Sequence, residues 1–171
     1  MCAALLVCGC EESDGEKLKA ASVAGDTNLV TTLIEKGADV NWGDQYTGTA
    51  LHKAALRGDI GMVEFLISKG ADVNGKIEPG LLTVASKTRD EDNGKLSKIE
   101  NAHGATPLHI AVDNNHFEIV RILVENGASV HRTLTLGYDY SKPKNIRTPL
   151  DIARSRGYSD IADYLEMHVK K

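Results

Sequence analysis

Two short motifs recur in fixed order along this chain, and their spacing constrains the fold more than any other feature. Glu35-Lys36-Gly37-Ala38-Asp39-Val40-Asn41 returns as Ser68-Lys69-Gly70-Ala71-Asp72-Val73-Asn74. Gly37 to Gly70 and Asn41 to Asn74 are each 33 residues apart. A third copy reads Glu125-Asn126-Gly127-Ala128-Ser129-Val130-His131. A second motif precedes each of the last two copies and opens a further unit: Thr49-Ala50-Leu51-His52, Thr106-Pro107-Leu108-His109 and Thr148-Pro149-Leu150-Asp151. A unit of this length cannot bury an apolar face alone, so such a sequence folds by stacking its units side by side.

Each motif has a local physical reading. Thr ahead of Pro or Ala is a good helix N-cap, and Pro at the first helical position gives up no hydrogen bond. Ala54, Ala55 and Ala111 allow close helix approach, and Gly58 and Gly157 stand where a first helix ends. Helical spacing of apolar residues follows in Ile60, Val63, Phe65, Leu66 and Ile67, and again in Ile119, Val120, Ile122 and Leu123. Gly37, Gly70 and Gly127 then end those second helices.

The motifs and their period resemble those of the ankyrin repeat family, over roughly Glu16 to Leu165. The resemblance implies an all-α solenoid of about four helix-turn-helix repeats joined by β-hairpin connections. The repeats fall at Glu16–Asn41, Gln45–Asn74, Ala102–His131 and Asn145–Leu165, within a domain spanning 15–169 behind an apolar, Cys-containing segment at 1–14. It also implies that His52 and His109 bond backbone groups and tie neighbouring repeats together. The ends read as caps. Ser13-Asp14-Gly15-Glu16 forms a capping-box pattern, and Asp151 stands where the motif has His.

Two connections are longer than the period allows. Between Gly70 and Gly127 there are 24 extra residues, and between Thr106 and Thr148 there are 9. Asn93-Gly94 between alternating segments predicts a β-hairpin finger over about 76–100. A degenerate helical repeat and an irregular loop are the competing readings. Alternation in Thr133-Leu134-Thr135-Leu136, with Tyr138 and Tyr140, predicts a second finger over about 132–143.

In ankyrin repeat proteins recognition falls on the hairpin tips and the exposed side of the first helices. Carried over by position, the resemblance implies a partner-binding set of Gln45, Tyr46, Leu56, Arg57, His103, Asp113, Asn114, Lys144, Arg147 and Arg156. Trp42, Tyr138 and Tyr140 join it because binding energy concentrates in aromatic and Arg anchors. Each aromatic has a second reading, in which it packs on a neighbouring hairpin or strand. Lys142, Lys144, Arg147, Arg154 and Arg156 have only Asp151 as a nearby opposing charge in sequence. This cluster makes an acidic groove ligand one reading and a solvated basic face the other.

Catalytic chemistry finds no support in the sequence. There is no phosphate-binding glycine loop, no paired catalytic acids and no zinc-ligand spacing, so neither an enzyme nor a cofactor is expected. A net charge of −4 argues against generic nucleic-acid binding. The expected function is a monomeric protein-interaction module whose partner is another protein. All three cysteines lie within the first ten residues, and Leu6-Val7-Cys8-Gly9-Cys10 resembles the end of a bacterial lipoprotein signal, although no Lys or Arg precedes it. Lipidation at Cys10 would place the chain in the cell envelope or periplasm in a structural or protective role. A cytoplasmic chain with reduced or palmitoylated thiols is the alternative.

Overall fold

The computed structural model describes residues 13–44, 48–77, 102–136 and 146–170. Within them the chain folds into four antiparallel helix pairs. These are α1 (Asp14–Ala24) with α2 (Thr27–Glu35), α3 (Ala50–Arg57) with α4 (Ile60–Ser68), α5 (Pro107–Asp113) with α6 (Phe117–Glu125), and α7 (Pro149–Arg156) with α8 (Ser159–Val169). The result is the mostly helical repeat fold expected from the periodicity. Along the stack the first helices of the pairs pack together more closely than the second helices do. This uneven packing makes the α1–α3–α5–α7 layer the inner side of the stack.

The core repeats with the sequence. Leu18, Leu51 and Leu108 occupy one position on the first helices and are fully buried. Leu66, Leu123 and Leu165 do the same on the second. Each such side chain contributes about 2 kcal/mol through removal of apolar surface from water. Every first helix turns into its second through a left-handed residue. In three pairs it is glycine, at Gly25, Gly58 and Gly157, and in the third it is Asn115 with φ 59°. Asn is among the few side chains that tolerate this conformation.

The Thr-initiated helices begin in a common way. His52 Nδ1 lies 3.2 Å from the Thr49 amide nitrogen, which donates to it, and 2.9 Å from the Thr49 hydroxyl. His109 repeats this with Thr106 at 3.3 and 2.9 Å. With Nδ1 accepting, the proton sits on Nε2, and His109 Nε2 donates to the Arg132 carbonyl at 3.1 Å. Asp151 keeps only the local half of this arrangement. Its Oδ2 accepts from the Thr148 amide and hydroxyl at 2.9 and 2.8 Å, and a carboxylate cannot donate onward.

The 24-residue insertion does not interrupt the stack. Asn41 Oδ1 accepts from the Asp72 amide and its Nδ2 donates to the Gly70 carbonyl. Asn74 makes the same pair of bonds to Ser129 and Gly127 across the insertion. At the opposite end His116 Nε2 bonds the Leu56 carbonyl at 3.2 Å. Ile77 and Ala105 form an antiparallel bridge at the base of the inserted segment.

Short strands join the pairs. β1 (Gly43–Asp44) pairs with β2 (Gly48–Thr49). β4 (Leu134–Leu136) pairs with both β3 (Ala102–His103) and β5 (Ile146–Arg147), so a three-stranded sheet links the two long connections at their bases. The expected finger at about 76–100 lies outside the described residues from 78 onward, and so do positions 137–143 of the second finger. No described helix is long and apolar enough to cross a membrane.

Candidate partner-binding face

The inner layer is assembled from first helices whose buried side is set by the Leu and Ala positions of the motif, which leaves the opposite side open. On α3 that side carries Leu56, half-buried, and Arg57, exposed at the helix C-terminus. On α5 the corresponding positions are Asp113 and Asn114, and on α7 they are Ser155 and Arg156. The expected residues Leu56, Arg57, Asp113, Asn114 and Arg156 are therefore brought together on one layer, contributed by three successive helix pairs.

They are not equivalent. Asp113 is buried, with its side chain 5% exposed, and it is gripped by Arg156 through Nε at 2.9 Å and Nη2 at 2.5 Å. Asp113 thus lies beneath the surface that its neighbours line. Asn114 caps its own helix, donating from Nδ2 to the Ile110 carbonyl at 2.9 Å. Arg57 has no ion-pair partner among the described residues.

This geometry gives two members of the basic cluster in the fourth unit an acidic partner, while Lys142 and Lys144 lie outside the described residues. Arg156 is paired with Asp113, and Arg154 is paired with Glu166 of α8 at 2.5 Å. Neither carboxylate is near its arginine in sequence; helix packing delivers both. Arg154 and Glu166 occupy the positions held by Val112 and Val124 in the third pair, so an ion pair stands where the third pair has two valines.

Trp42 follows the first turn motif and folds back onto α1. A Cβ on Gly15 would lie 2.2 Å from Trp42 Cγ, so the glycine is what admits the indole. Lys19 stands over the ring at 5.0 Å, a cation–π distance. The tryptophan is half-buried, one side committed to α1. Arg147 lies on β5 and is half-buried, while His103 is held in β3 through its backbone. Gln45, Tyr46, Tyr138, Tyr140, Lys144 and Cys10 lie outside the described residues.

Sequence reasoning passed over Lys53, which precedes the small Ala54-Ala55 pair and sits half-buried on α3. The signal was present: Ile110 and Ile152, its counterparts, are buried apolar residues, so a lysine there departs from the pattern. Both motif histidines are buried, and desolvation lowers each to a pKa of about 4. His52 Nε2 faces the backbone of Gly75 and Ala105 without a hydrogen bond of good geometry. Among the described residues no cluster of three or more His, Cys, Asp or Glu could hold a metal ion.

Comparison with known proteins adds three observations. The family model described as ankyrin repeats (3 copies) matches residues 1–77 and 82–170. Protein phosphatase 1 regulatory subunit 27 of Homo sapiens is 42% identical over 62 residues, covering 36% of this chain and 34% of that protein. The Mus musculus protein of the same name gives the same figures. The match therefore spans about a third of the length of these relatives, and none of the three supports a lipid anchor at Cys10.

Proposed function

This chain belongs to the ankyrin repeat family, and from that premise we propose that it binds a partner protein across the inner helix layer and performs no catalysis. The four helix pairs count as four repeats in this reading, and the extended connections at about 76–100 and 132–143 add to the binding side. The observation that carries it is the juxtaposition of Leu56, Arg57, Asn114 and Arg156 on one layer, each presented by a helix whose other side is consumed in stacking. From the sequence resemblance, Trp42, Gln45, Tyr46, His103, Tyr138, Tyr140, Lys144 and Arg147 are carried along as further candidate contacts. Similarity over 62 residues to a protein named as a phosphatase regulatory subunit agrees with this class of function.

Photo-crosslinking residues placed at Leu56 and Asn114, against Glu64 and Glu118 of the second helices, test the assignment in the native cell. The expected result is a discrete crosslinked partner from the first pair of positions. Crosslinks confined to Glu64 and Glu118 would move the binding side to the outer layer and refute the proposal.

A further inference from the structure

The two ends of the stack are finished differently. Counted from the N-caps Asp26, Asp59, His116 and Tyr158, the third position of each second helix holds Leu29, Met62, Ile119 and Ile161. The last three are 1% exposed, whereas Leu29 is 44% exposed. Three residues further on stand Thr32, Phe65, Ile122 and Tyr164. Tyr164 shows which way this position faces, because its ring meets Phe117 of the preceding pair edge-on at 5.7 Å. Thr32 is exposed there, and on α1 Ala20 is exposed where Ile110 and Ile152 are buried. These positions are covered or half-covered in the later pairs and open in the first. At the other end, Ser22, Ala55 and Val112 are buried but their counterpart Arg154 is exposed and paired with Glu166. An ion pair can face water, whereas a leucine gains by being covered.

The chain holds a segment that matches this open side. The second helices end in a common pattern of leucine, an aliphatic residue, two variable residues, glycine and a small residue. It reads Leu33-Ile34-Glu35-Lys36-Gly37-Ala38, Leu66-Ile67-Ser68-Lys69-Gly70-Ala71 and Leu123-Val124-Glu125-Asn126-Gly127-Ala128. Leu5-Leu6-Val7-Cys8-Gly9-Cys10 carries the pattern once more, ahead of the first pair and outside the described residues. The ankyrin likeness also begins at residue 1, ahead of α1. In the three described copies the leucine is buried, the aliphatic residue half-buried and both variable residues exposed or, at Lys36, Lys69 and Asn126, fully outside the core. The small residue is buried in two copies and half-buried in the third. Gly9 precedes Leu18 by nine residues, where Gly37 precedes Leu51 by fourteen. Nine residues still span about 30 Å of extended chain, well beyond the ~10 Å between packed helices.

We infer that residues 3–10 form the end of a further second helix and its turn, docked on the open side of the first pair with Leu6 over Leu29 and Cys10 enclosed. The stack then starts half a unit ahead of the four helix pairs. Residues 1–10 carry no charged side chain, so the covering segment is apolar, with Glu16 and Lys17 of α1 exposed beside Ala20 at its rim. A buried cysteine behaves as a small apolar residue, which suits Cys10 to the place that Ala38, Ala71 and Ala128 hold. A terminal unit of this kind closes the apolar face that stacking leaves open.

The three cysteines of the chain all lie in this segment and report on it directly. The reduced full chain is labelled with a maleimide, and the rate at each thiol is read by fragmentation mass spectrometry. Cys8, at an exposed position of the pattern, should react about tenfold faster than Cys10, and the difference should vanish in ~6 M urea. Leu29→Glu should equalise the two rates and lower the thermal midpoint, while hydrogen exchange in α7 and α8 stays unchanged. Leu6→Asp should equalise them in the same way without touching a described helix. Equal rates in the unaltered chain, or protection of Cys10 that survives both substitutions, would overturn the inference. Protection that grows with protein concentration would assign the face to a second copy instead, and acyl mass on Cys10 in the chain recovered from its cells would exclude the enclosed thiol.

Discussion

Arg156 of α7 reaches back to the preceding helix pair and closes on Asp113 of α5, with Nε 2.9 Å from Oδ1. The carboxylate is buried and the guanidinium is not, at 5% and 41% side-chain exposure. The interaction is therefore asymmetric. Removing the arginine strands a buried charge, whereas removing the aspartate leaves a cation that water can solvate.

Arg156→Ala should destabilise the fold by about 1–3 kcal/mol, and more than Asp113→Ala does. The double substitution should cost less than the sum of the two singles. Urea denaturation of the four proteins in a double-mutant cycle checks both statements. Strict additivity would mean that the pair contributes nothing.

Asn74 holds the third turn as Asn41 holds the second, through one accepted and one donated hydrogen bond. Asn74→Ala should cost about 1–2 kcal/mol, at ~0.5–1.5 kcal/mol for each bond. Because Asn74 bridges the insertion, its loss should also loosen the boundary between the second and third pairs. Hydrogen exchange should show faster opening of α5 and α6 relative to α1 and α2. Asn41→Ala should show the reverse bias.

Gly15 gives room to the indole of Trp42, whose Cγ would lie 2.2 Å from any added Cβ. Gly15→Ala should expel the ring at a cost of about 1–3 kcal/mol, as overpacking does. Trp42 is the one tryptophan in the sequence, so its emission reports the event directly. A red shift in the folded variant is expected. An unshifted spectrum would show that α1 yields instead.

Acid should weaken this fold before it protonates most carboxylates. His52 and His109 have folded-state pKa values of about 4, lowered by desolvation from the ordinary 6.5. The unfolded chain thus takes up protons that the folded chain refuses. The stability these residues support is complete above about pH 6.5 and is lost as the pH falls towards about 4, on the order of 2–3 kcal/mol for each histidine. Asp151, held below the usual carboxylate range by the Thr148 amide, loses its cap at lower pH still. Denaturant midpoints measured between pH 7 and pH 4 test this, and His109→Gln should remove its share of the slope.

Asp151 shows how far a motif can be read without its surroundings. The Thr-x-x-His pattern carries two functions, a local cap on the helix and a bond to the next unit. His109 performs both, through Thr106 and the Arg132 carbonyl. Asp151 retains the first because a cap needs only an acceptor three residues on. That outcome was legible in the sequence, as was the left-handed turn at Gly58, since both depend on neighbours within four residues. Asn115 was not singled out because glycine is the commoner signal for that turn.

The sequence by itself determined the repeat, its period, the order of the helices and which Leu and Ala positions form the core, because these follow from local conformation and spacing. Only the tertiary structure decided how the charges are used. Arg156 with Asp113 and Arg154 with Glu166 are 43 and 12 residues apart, and Trp42 meets Gly15 across a whole helix pair. Such pairings depend on where stacking places each side chain. The sequence displayed a basic cluster in the fourth unit, and packing paired its Arg154 and Arg156 with acids while leaving Arg57 an exposed cation with no ion-pair partner among the described residues. The physical reason is range: helix signals act within one turn, while charge compensation acts across space.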